Sequence, residues 1–423
     1  MSLNSWKDFN ELQRYAESFG IPLYNGDICN LSSELSVEGR IIRNRLLIQP
    51  VEGADADSYG RPTEPTERRY LRYAKGGAGT IWMEAVALNH DLRSNERQLV
   101  LDKNTVDSFA GMVENIKETA LKENGYAPII IIQLSHPGRS CLIPKPATDR
   151  EIWDHIADSK GQKTASDDEI AKLADTYGYV ALLAQEAGID GVEVKACHRY
   201  FINELLSAHN RQGRYGGSFE NRVRHLKECI SSVRAEAKDV FVTVRLNHYD
   251  GIPYPDGFGM STDMSVMPDG NEPLRLIQEL HDEYGIELIN CSSSSPVFEL
   301  FTEDDAKNAL FSKPMNPVKV GGTMHRFARE IKQSIGEVKV VATMFSQLRQ
   351  YAAPIGAGMI ERGEADLIGF GRQALAYPDF ANDILSGKGL DKDKVCICCG
   401  GCNRLISKDK GVGCIVYDEL YKV

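Results

Sequence analysis

Residues 190–200 read D-G-V-E-V-K-A-C-H-R-Y, and residues 214–222 read R-Y-G-G-S-F-E-N-R. The first stretch is a β-branched run that ends in Lys195, His198 and Tyr200, spaced so that all three crowd one pocket. The glycine turn and polar helix start of the second fix where those side chains point. Convergent polar groups at the end of a strand are where barrel enzymes place their chemistry. The chain therefore reads as an enzyme.

Outward from this stretch, β-rich segments recur along the chain. Before it come R-L-L-I-Q-P-V-E from Arg45, G-T-I-W-M-E-A-V-A-L from Gly79 and A-P-I-I-I-I-Q-L-S from Ala127. After it come D-V-F-V-T-V-R-L-N from Asp239, I-E-L-I-N-C-S-S from Ile286, V-K-V-V-A-T-M from Val338 and A-D-L-I-G-F-G-R from Ala365. Near-continuous apolar runs suit strands buried on both faces of a parallel sheet. Helical patterns lie between most of them. The clearest runs from Asp168 to Gly188, with heptad-like apolar spacing and a terminal glycine as a stop. Eight strands alternating with helices predict a single (β/α)8 TIM barrel. The competing architecture, a doubly wound open sheet, lacks its early G-x-G-x-x-G and a second-domain break.

Three regions follow: an N-terminal arm over 1–40, the barrel over 41–390, and a short cysteine-rich C-terminal extension over 391–423. The arm is placed as a cap on the barrel floor. The long polar stretch from Ile143 to Lys163 reads as cover over the substrate, or as a solvated connector.

Composition narrows the function classes. With 42% hydrophobic and 26% charged residues, the 423-residue chain is of ordinary globular make-up. A net charge of −11 argues against nucleic-acid binding, which needs a basic footprint. No apolar run approaches the roughly 18 residues of a membrane span. The N-terminus S-W-K-D-F-N-E-L-Q-R-Y lacks the apolar core of a secretion signal. Of ten cysteines, Cys29, Cys141, Cys197, Cys229 and Cys291 are scattered. Scattered buried thiols suit a reducing compartment, so a cytoplasmic location is expected.

Several strand ends carry candidate ligands for a cofactor. The eighth barrel strand runs into G-F-G-R, where Gly369 and Gly371 let backbone N–H groups approach a phosphate and Arg372 offers a bidentate partner. A tight turn beside a surface arginine is the plainer alternative. The third ends in Q-L-S-H-P-G-R, placing Gln133, His136 and Arg139 at the mouth; Gln133 offers a donor and an acceptor to an imide-like ring edge. Arg245, inside V-T-V-R-L-N, is a charge that burial makes costly unless something anionic meets it.

Together Q-L-S-H-P-G-R, D-G-V-E-V-K-x-x-H-x-Y, Y-G-G-S-F-E-N-R and G-F-G-R resemble the Old Yellow Enzyme family of flavin-dependent oxidoreductases, in order, over roughly residues 40 to 390. The resemblance implies an FMN-binding barrel that takes hydride from NADH or NADPH and delivers it to an activated, enone- or enoate-like alkene. It implies Pro50, Val51 and Glu52 beside the flavin, Ala85 near the ring edge and Gln133 bonded to the ring. Arg245 would stabilise negative charge on the reduced flavin. Gly369, Gly371 and Arg372, with backbone after Thr343, would take the phosphate.

On the substrate side the resemblance implies Lys195 and His198 as the pair holding the acceptor's oxygen, with Tyr200 as proton donor. A tyrosine with an ordinary pKa stays protonated at neutral pH, as a donor must. Two residues depart from the family. Lys195 stands where a histidine is usual, and Glu52 where a threonine or cysteine is usual. An isolated buried carboxylate is expensive, so Glu52 and Lys195 are expected to pair. A lysine also suits a carboxylate as well as a carbonyl. The plainer reading of Lys195 is a side chain that snorkels to the surface.

The far end reads C-I-C-C-G-G-C-N-R-L-I-S-K-D-K-G-V-G-C. The spacing of Cys396, Cys399, Cys402 and Cys414 suits a [4Fe–4S] cluster, or less well a zinc site, and an inert cysteine cluster is the alternative. It resembles the motif of trimethylamine dehydrogenase and 2,4-dienoyl-CoA reductase. The resulting expectation is an FMN-dependent reductase that uses NAD(P)H on a small-molecule acceptor, without nucleic acid or membrane, as a homo-oligomer. The alternatives are an amine dehydrogenase or demethylase passing electrons to the cysteines, a flavin-free aldolase-like barrel with a Schiff base on Lys195, and a non-catalytic redox sensor.

Overall fold

The computed structural model describes residues 6–149, 162–263, 267–293 and 316–422. After a helix over Phe9–Glu17, strands β1 (Leu35–Val37) and β2 (Arg40–Ile42) form an antiparallel hairpin. Eight strands then close into a parallel barrel: β3 (Leu46–Ile48), β4 (Thr80–Ala87), β5 (Ile129–Ser135), β6 (Gly191–Ala196), β7 (Phe241–Asn247), β8 (Leu288–Ser292), β9 (Lys339–Ala342) and β10 (Leu367–Phe370). The ring closes through β10 pairing with β3. All eight expected segments hold a barrel strand, and the doubly wound alternative is excluded by that closure.

Each strand is buried on both faces because helices cover the outside. The helix over Asp167–Glu186 shows how sequence sets its limits. Ser166 and Glu169 form a reciprocal capping box, and Gly188 leaves the helix at φ +76. This helix packs against that over Phe219–Glu236, whose start at Ser218 is the polar helix start expected from Y-G-G-S-F-E-N-R.

Side chains alternate along a strand with period two, which sorts the barrel interior into layers. Leu47, Ile131, Phe241, Leu288, Val341 and Leu367 form the floor layer with Val37 and Ile42 of the hairpin. The hairpin thus plugs the bottom of the barrel. Gly191 belongs to this layer, and a Cβ there would lie 2.4 Å from the Phe241 ring, so glycine makes room for phenylalanine. Two residues further on, the same columns carry Gln49, Gln133, Glu193, Thr243, Asn290 and Thr343, all buried. Two further still come Lys195, Arg245 and Ser292, at the carboxyl-terminal mouth. Sequence period therefore changes the barrel from apolar floor to polar middle to cationic mouth.

The expected cover from Ile143 to Lys163 lies partly outside the described residues, over 150–161. Its root is anchored: Ala147 N–H donates to Glu204 over 3.0 Å, and the Thr148 carbonyl accepts from Arg139 over 2.6 Å. No described helix is long and apolar enough to cross a membrane. Of the scattered cysteines, Cys29 is exposed and the other four are buried.

Candidate active site

The polar middle layer is a hydrogen-bonded ring. Gln49 and Asn290 exchange two amide bonds, at 3.0 and 3.1 Å. Asn290 also donates to one oxygen of Glu193 over 3.0 Å, and Gln133 donates to the other. Gly369 keeps this ring possible, since a Cβ there would stand 2.5 Å from the Gln49 amide. Burial raises the Glu193 carboxyl to about 7, against the opposing effects of Arg245, Gln133 and Asn290. Gln133 thus serves a buried carboxyl here. Glu193, Gln49 and Asn290 were not singled out from sequence; a glutamate two residues before a mouth lysine was the available signal.

Above the ring, Lys195 and Arg245 are register partners on adjacent strands, as are Arg245 and Asn290. Arg245 is 9% exposed, and its Nε has no hydrogen-bond partner among the described residues. A buried donor left unmade costs its desolvation, so the site asks for an acceptor. Lys195 is 6% exposed, which excludes the snorkelling alternative. Its ammonium lies 3.9 Å from the Tyr200 ring centroid, a cation–π contact. Burial lowers its pKa, partly offset by Cys197 and Glu52.

The expected Glu52–Lys195 ion pair does not form. Glu52 is half-buried and accepts from Ser94 over 2.6 Å and from Asn95 over 2.7 Å. Short polar neighbours in the loop after β4 satisfy the carboxylate, so it acts on the ammonium only at longer range.

His198 and Arg199 both adopt left-handed backbone, at φ +62 and +63. That reversal ends β6 and turns the chain into the short helix over Phe201–Leu206, with Tyr200 at its N-cap. The His198 ring is 2.9 Å from the Ser292 hydroxyl through Nε2. Burial, Arg245 and Lys195 hold its pKa well below the ordinary value, so the imidazole is neutral. Burial and Glu52 push the Tyr200 phenol further up, so it keeps its proton. Ser292 was missed from sequence, although it ends the I-N-C-S-S strand.

The loop holding Pro50, Val51 and Glu52 is fixed from beneath. Arg69 bridges Asp55 and Glu84, and Gly53 N–H donates to Glu84 over 2.5 Å. Ala85 is the register partner of Gln133 across a bulge in β4, and its carbonyl accepts from Gln98 over 3.0 Å. Thr343 is 7% exposed, and its carbonyl accepts from His325 over 3.1 Å. Gly371 precedes the short helix over Arg372–Ala376, beside Val51.

Two mouth residues expected from Q-L-S-H-P-G-R are scaffold instead. Arg139 is paired with buried Glu204 at 2.8 Å. His136 stacks on Phe201 at 4.3 Å and accepts from Gly138 N–H over 2.9 Å. Burial holds it near 3, so it is neutral.

The cysteine-rich tail folds back onto this face of the barrel. Asp418 is bound by Arg68 at 2.7 Å, and Arg97 donates to the Asp409 carbonyl over 3.1 Å. Arg372 acts on Cys396, Cys398 and Cys402 through its charge. Cys398 is pushed down to about 7 by its contact with Cys396 and by Arg372, against burial. Cys402 and Cys414 each feel Cys396 and Cys399. Among the described residues, however, no three Cys, His, Asp or Glu side chains gather closely enough to hold a metal ion.

A closed barrel with a buried, unmet arginine and a lysine–histidine–tyrosine group at its mouth defines a barrel enzyme with an anion-seeking cofactor site. The model of the NADH:flavin oxidoreductase / NADH oxidase family matches residues 34–391. The chain belongs to that family and is a flavin-dependent NAD(P)H oxidoreductase. An NADPH dehydrogenase of Bacillus pumilus is 28% identical over 361 residues, 83% of this chain and 92% of its own length. In fold it is similar to an Old Yellow Enzyme homologue from Zymomonas mobilis, with TM-score 0.63, 21% identity, and 86% and 94% of the two chains covered. It is also similar to a 2-naphthoyl-CoA reductase, with TM-score 0.73, 18% identity and 92% of this chain covered. The chain spans 57% of the length of that reductase.

Proposed function

We propose that this chain holds FMN across the carboxyl-terminal mouth of the barrel and reduces an activated C=C bond with electrons from NADH or NADPH. The carrying observation is Arg245, a buried guanidinium whose Nε is unmet beside a fully bonded polar ring. The residues present fit the flavin. Arg245 would face the edge where reduction places negative charge, and Gln133 would sit beneath the ring with Ala85 alongside. Pro50, Val51 and Glu52 would border it. Gly369, Gly371, Arg372 and backbone after Thr343 would take the phosphate. Bound FMN supplies reversible two-electron hydride chemistry.

The remaining chemistry belongs to side chains. Lys195 and neutral His198 hold the acceptor's oxygen and stabilise the charge that develops on it, as an oxyanion hole does. Tyr200, kept protonated by burial, gives its proton to the alkene carbon that does not receive hydride, and solvent restores it. Ser292 positions His198. The same face serves donor and acceptor in turn, so turnover is ping-pong.

The test is anaerobic reduction of the purified flavoprotein by each nicotinamide, then reoxidation by a panel of acceptors. Flavin reduced by NADH or NADPH and reoxidised by an α,β-unsaturated acceptor is the expected result. Colourless protein trapped by borohydride with a phosphorylated substrate would replace the reading with a Schiff-base lyase. Bound flavin without turnover would replace it with a sensor. An amine oxidised with electrons passing to the cysteine tail would replace it with the amine dehydrogenase reading.

Cys396, Cys399, Cys402 and Cys414 form a second candidate centre. Their thiols lie within electrostatic reach of one another yet too far apart for a single ion. The sequence spacing, with gaps of two, two and eleven residues, is what favours a four-iron cluster over zinc. Iron and acid-labile sulfide in anaerobically purified protein test this; their absence leaves the tail a thiol cluster.

A further inference from the structure

The charge at the mouth is lopsided. Lys195 is buried, and every described carboxylate near it is already engaged: Glu52 by Ser94 and Asn95, Glu193 by Gln133 and Asn290. Its register partner is another cation, Arg245, on the neighbouring strand some 5 Å away. Its ammonium rests on the face of Tyr200, and Cys197, Glu52 and Glu193 act on it only through their charge. Two like charges side by side out of water are costly, and each wants an anion of its own.

Arg245 is answered by the flavin in the reading above, on which this inference rests. Lys195 is then left facing the acceptor. We propose that the acceptor carries a carboxylate conjugated with the reducible double bond, and that Lys195 pairs with that carboxylate as the specificity-determining residue. A neutral carbonyl would accept a hydrogen bond but leave the buried charge uncompensated. A carboxylate completes it, and its second oxygen is available to His198. The pairing has a chemical use as well. A free carboxylate donates electrons into the alkene and discourages hydride attack, whereas an ammonium against it withdraws that charge. Lysine at this position thereby selects the anion and activates it. Arginine would do so less well, because the Tyr200 ring admits a compact ammonium.

The experiment is a binding comparison in oxidised protein as purified, with benzoate and benzamide as probes. They share shape and differ in charge, and neither is reduced. Dissociation constants come from calorimetry, alongside the perturbation of the flavin absorbance. Benzoate is expected to bind roughly ten- to a hundredfold more tightly than benzamide, the range of one hydrogen-bonded charge. Lys195→Met, which keeps the volume and removes the charge, should bring the ratio close to one with flavin content unchanged. Lys195→His should shift the preference toward benzamide. Equal binding of the two probes by the unaltered protein overturns the proposal, and so does a benzoate preference that survives Lys195→Met. Protein that retains no flavin overturns the flavin reading alone, because the calorimetric ratio still reports on Lys195.

Discussion

Replacing Glu193 by glutamine should flatten the dependence of stability on pH. In the folded chain burial raises this carboxyl from its ordinary 4.5 to about 7. Between those values the unfolded chain has released the proton while the folded chain keeps it. Stability contributed by Glu193 is therefore complete below about pH 4.5 and is lost as pH rises toward 7. At 1.36 kcal/mol per unit, the loss is about 3 kcal/mol. Urea unfolding of the unaltered protein and Glu193→Gln, each at pH 4.5 and 7.5 with excess FMN, gives four free energies. The amide offers donors where Gln133 and Asn290 already donate, so the variant carries a constant penalty. That penalty cancels in the difference between pH values, as do Glu84 and the buried histidines, which both proteins share. The unaltered protein should lose about 3 kcal/mol more than the variant over this range. Parallel curves, or a larger loss in the variant, would show that Glu193 is ionised in the fold and that the amide ring outweighs burial.

Three further outcomes follow from the geometry. Tyr200→Phe should leave flavin reduction by the nicotinamide intact while slowing reoxidation by an alkene roughly 10²–10⁴-fold, and equal slowing of both half-reactions in stopped flow would remove Tyr200 as the donor. Arg69→Met strands Asp55 and Glu84 without their shared partner and should cost about 3–5 kcal/mol in thermal unfolding; an unchanged transition would refute the bridge. Gly369→Ala pushes a methyl to 2.5 Å from Gln49 and should cost about 1–3 kcal/mol and weaken flavin retention. Gly371→Ala, whose methyl meets nothing nearer than 3.4 Å, is the matched control for unfolding alone, and equal losses of stability would show that Gly369 is not held by the ring.

The architecture was legible because its signal is local and repeated. Each strand is short, apolar and bounded by turns, so R-L-L-I or V-K-V-V declares itself without its neighbours. The triad Lys195, His198 and Tyr200 was legible for the same reason, since one strand end carries all three. What escaped was pairing across the barrel. Nothing near Asn290 in sequence says that Gln49 and Glu193 await it, because the three come from strands far apart in the chain and meet only on closure. The Glu52–Lys195 pair failed for the converse reason. Opposite charges beside one ring suggested a bond, but Ser94 and Asn95, from a loop with no outward distinction, reach the carboxylate first. The left-handed turn at His198 and Arg199 was equally hidden: histidine is enriched at positive φ, but arginine is not, and a pair in sequence is rarer still.

Buried arginines show how scaffold is told from site. Arg69 bridges two carboxylates, Arg139 meets Glu204, and Arg222 meets Glu272 and the Leu206 carbonyl. Each is answered within the chain, so each is architecture, even though Arg139 and Arg222 lie in the motifs that carry the family resemblance. Arg245 alone among these four has an Nε the described chain does not meet. Its burial was legible from sequence, as a charge inside the apolar run V-T-V-R-L-N. A fold that satisfies three such charges could satisfy a fourth by placing a carboxylate in the mouth layer. Glu193 stands one layer below and is held instead by two amides, with its own charge suppressed by burial. A carboxyl held by two amides one layer below leaves the Arg245 Nε to a visitor, and Lys195 beside it offers a second cation. The stability forgone at these positions is what makes the mouth selective for anions.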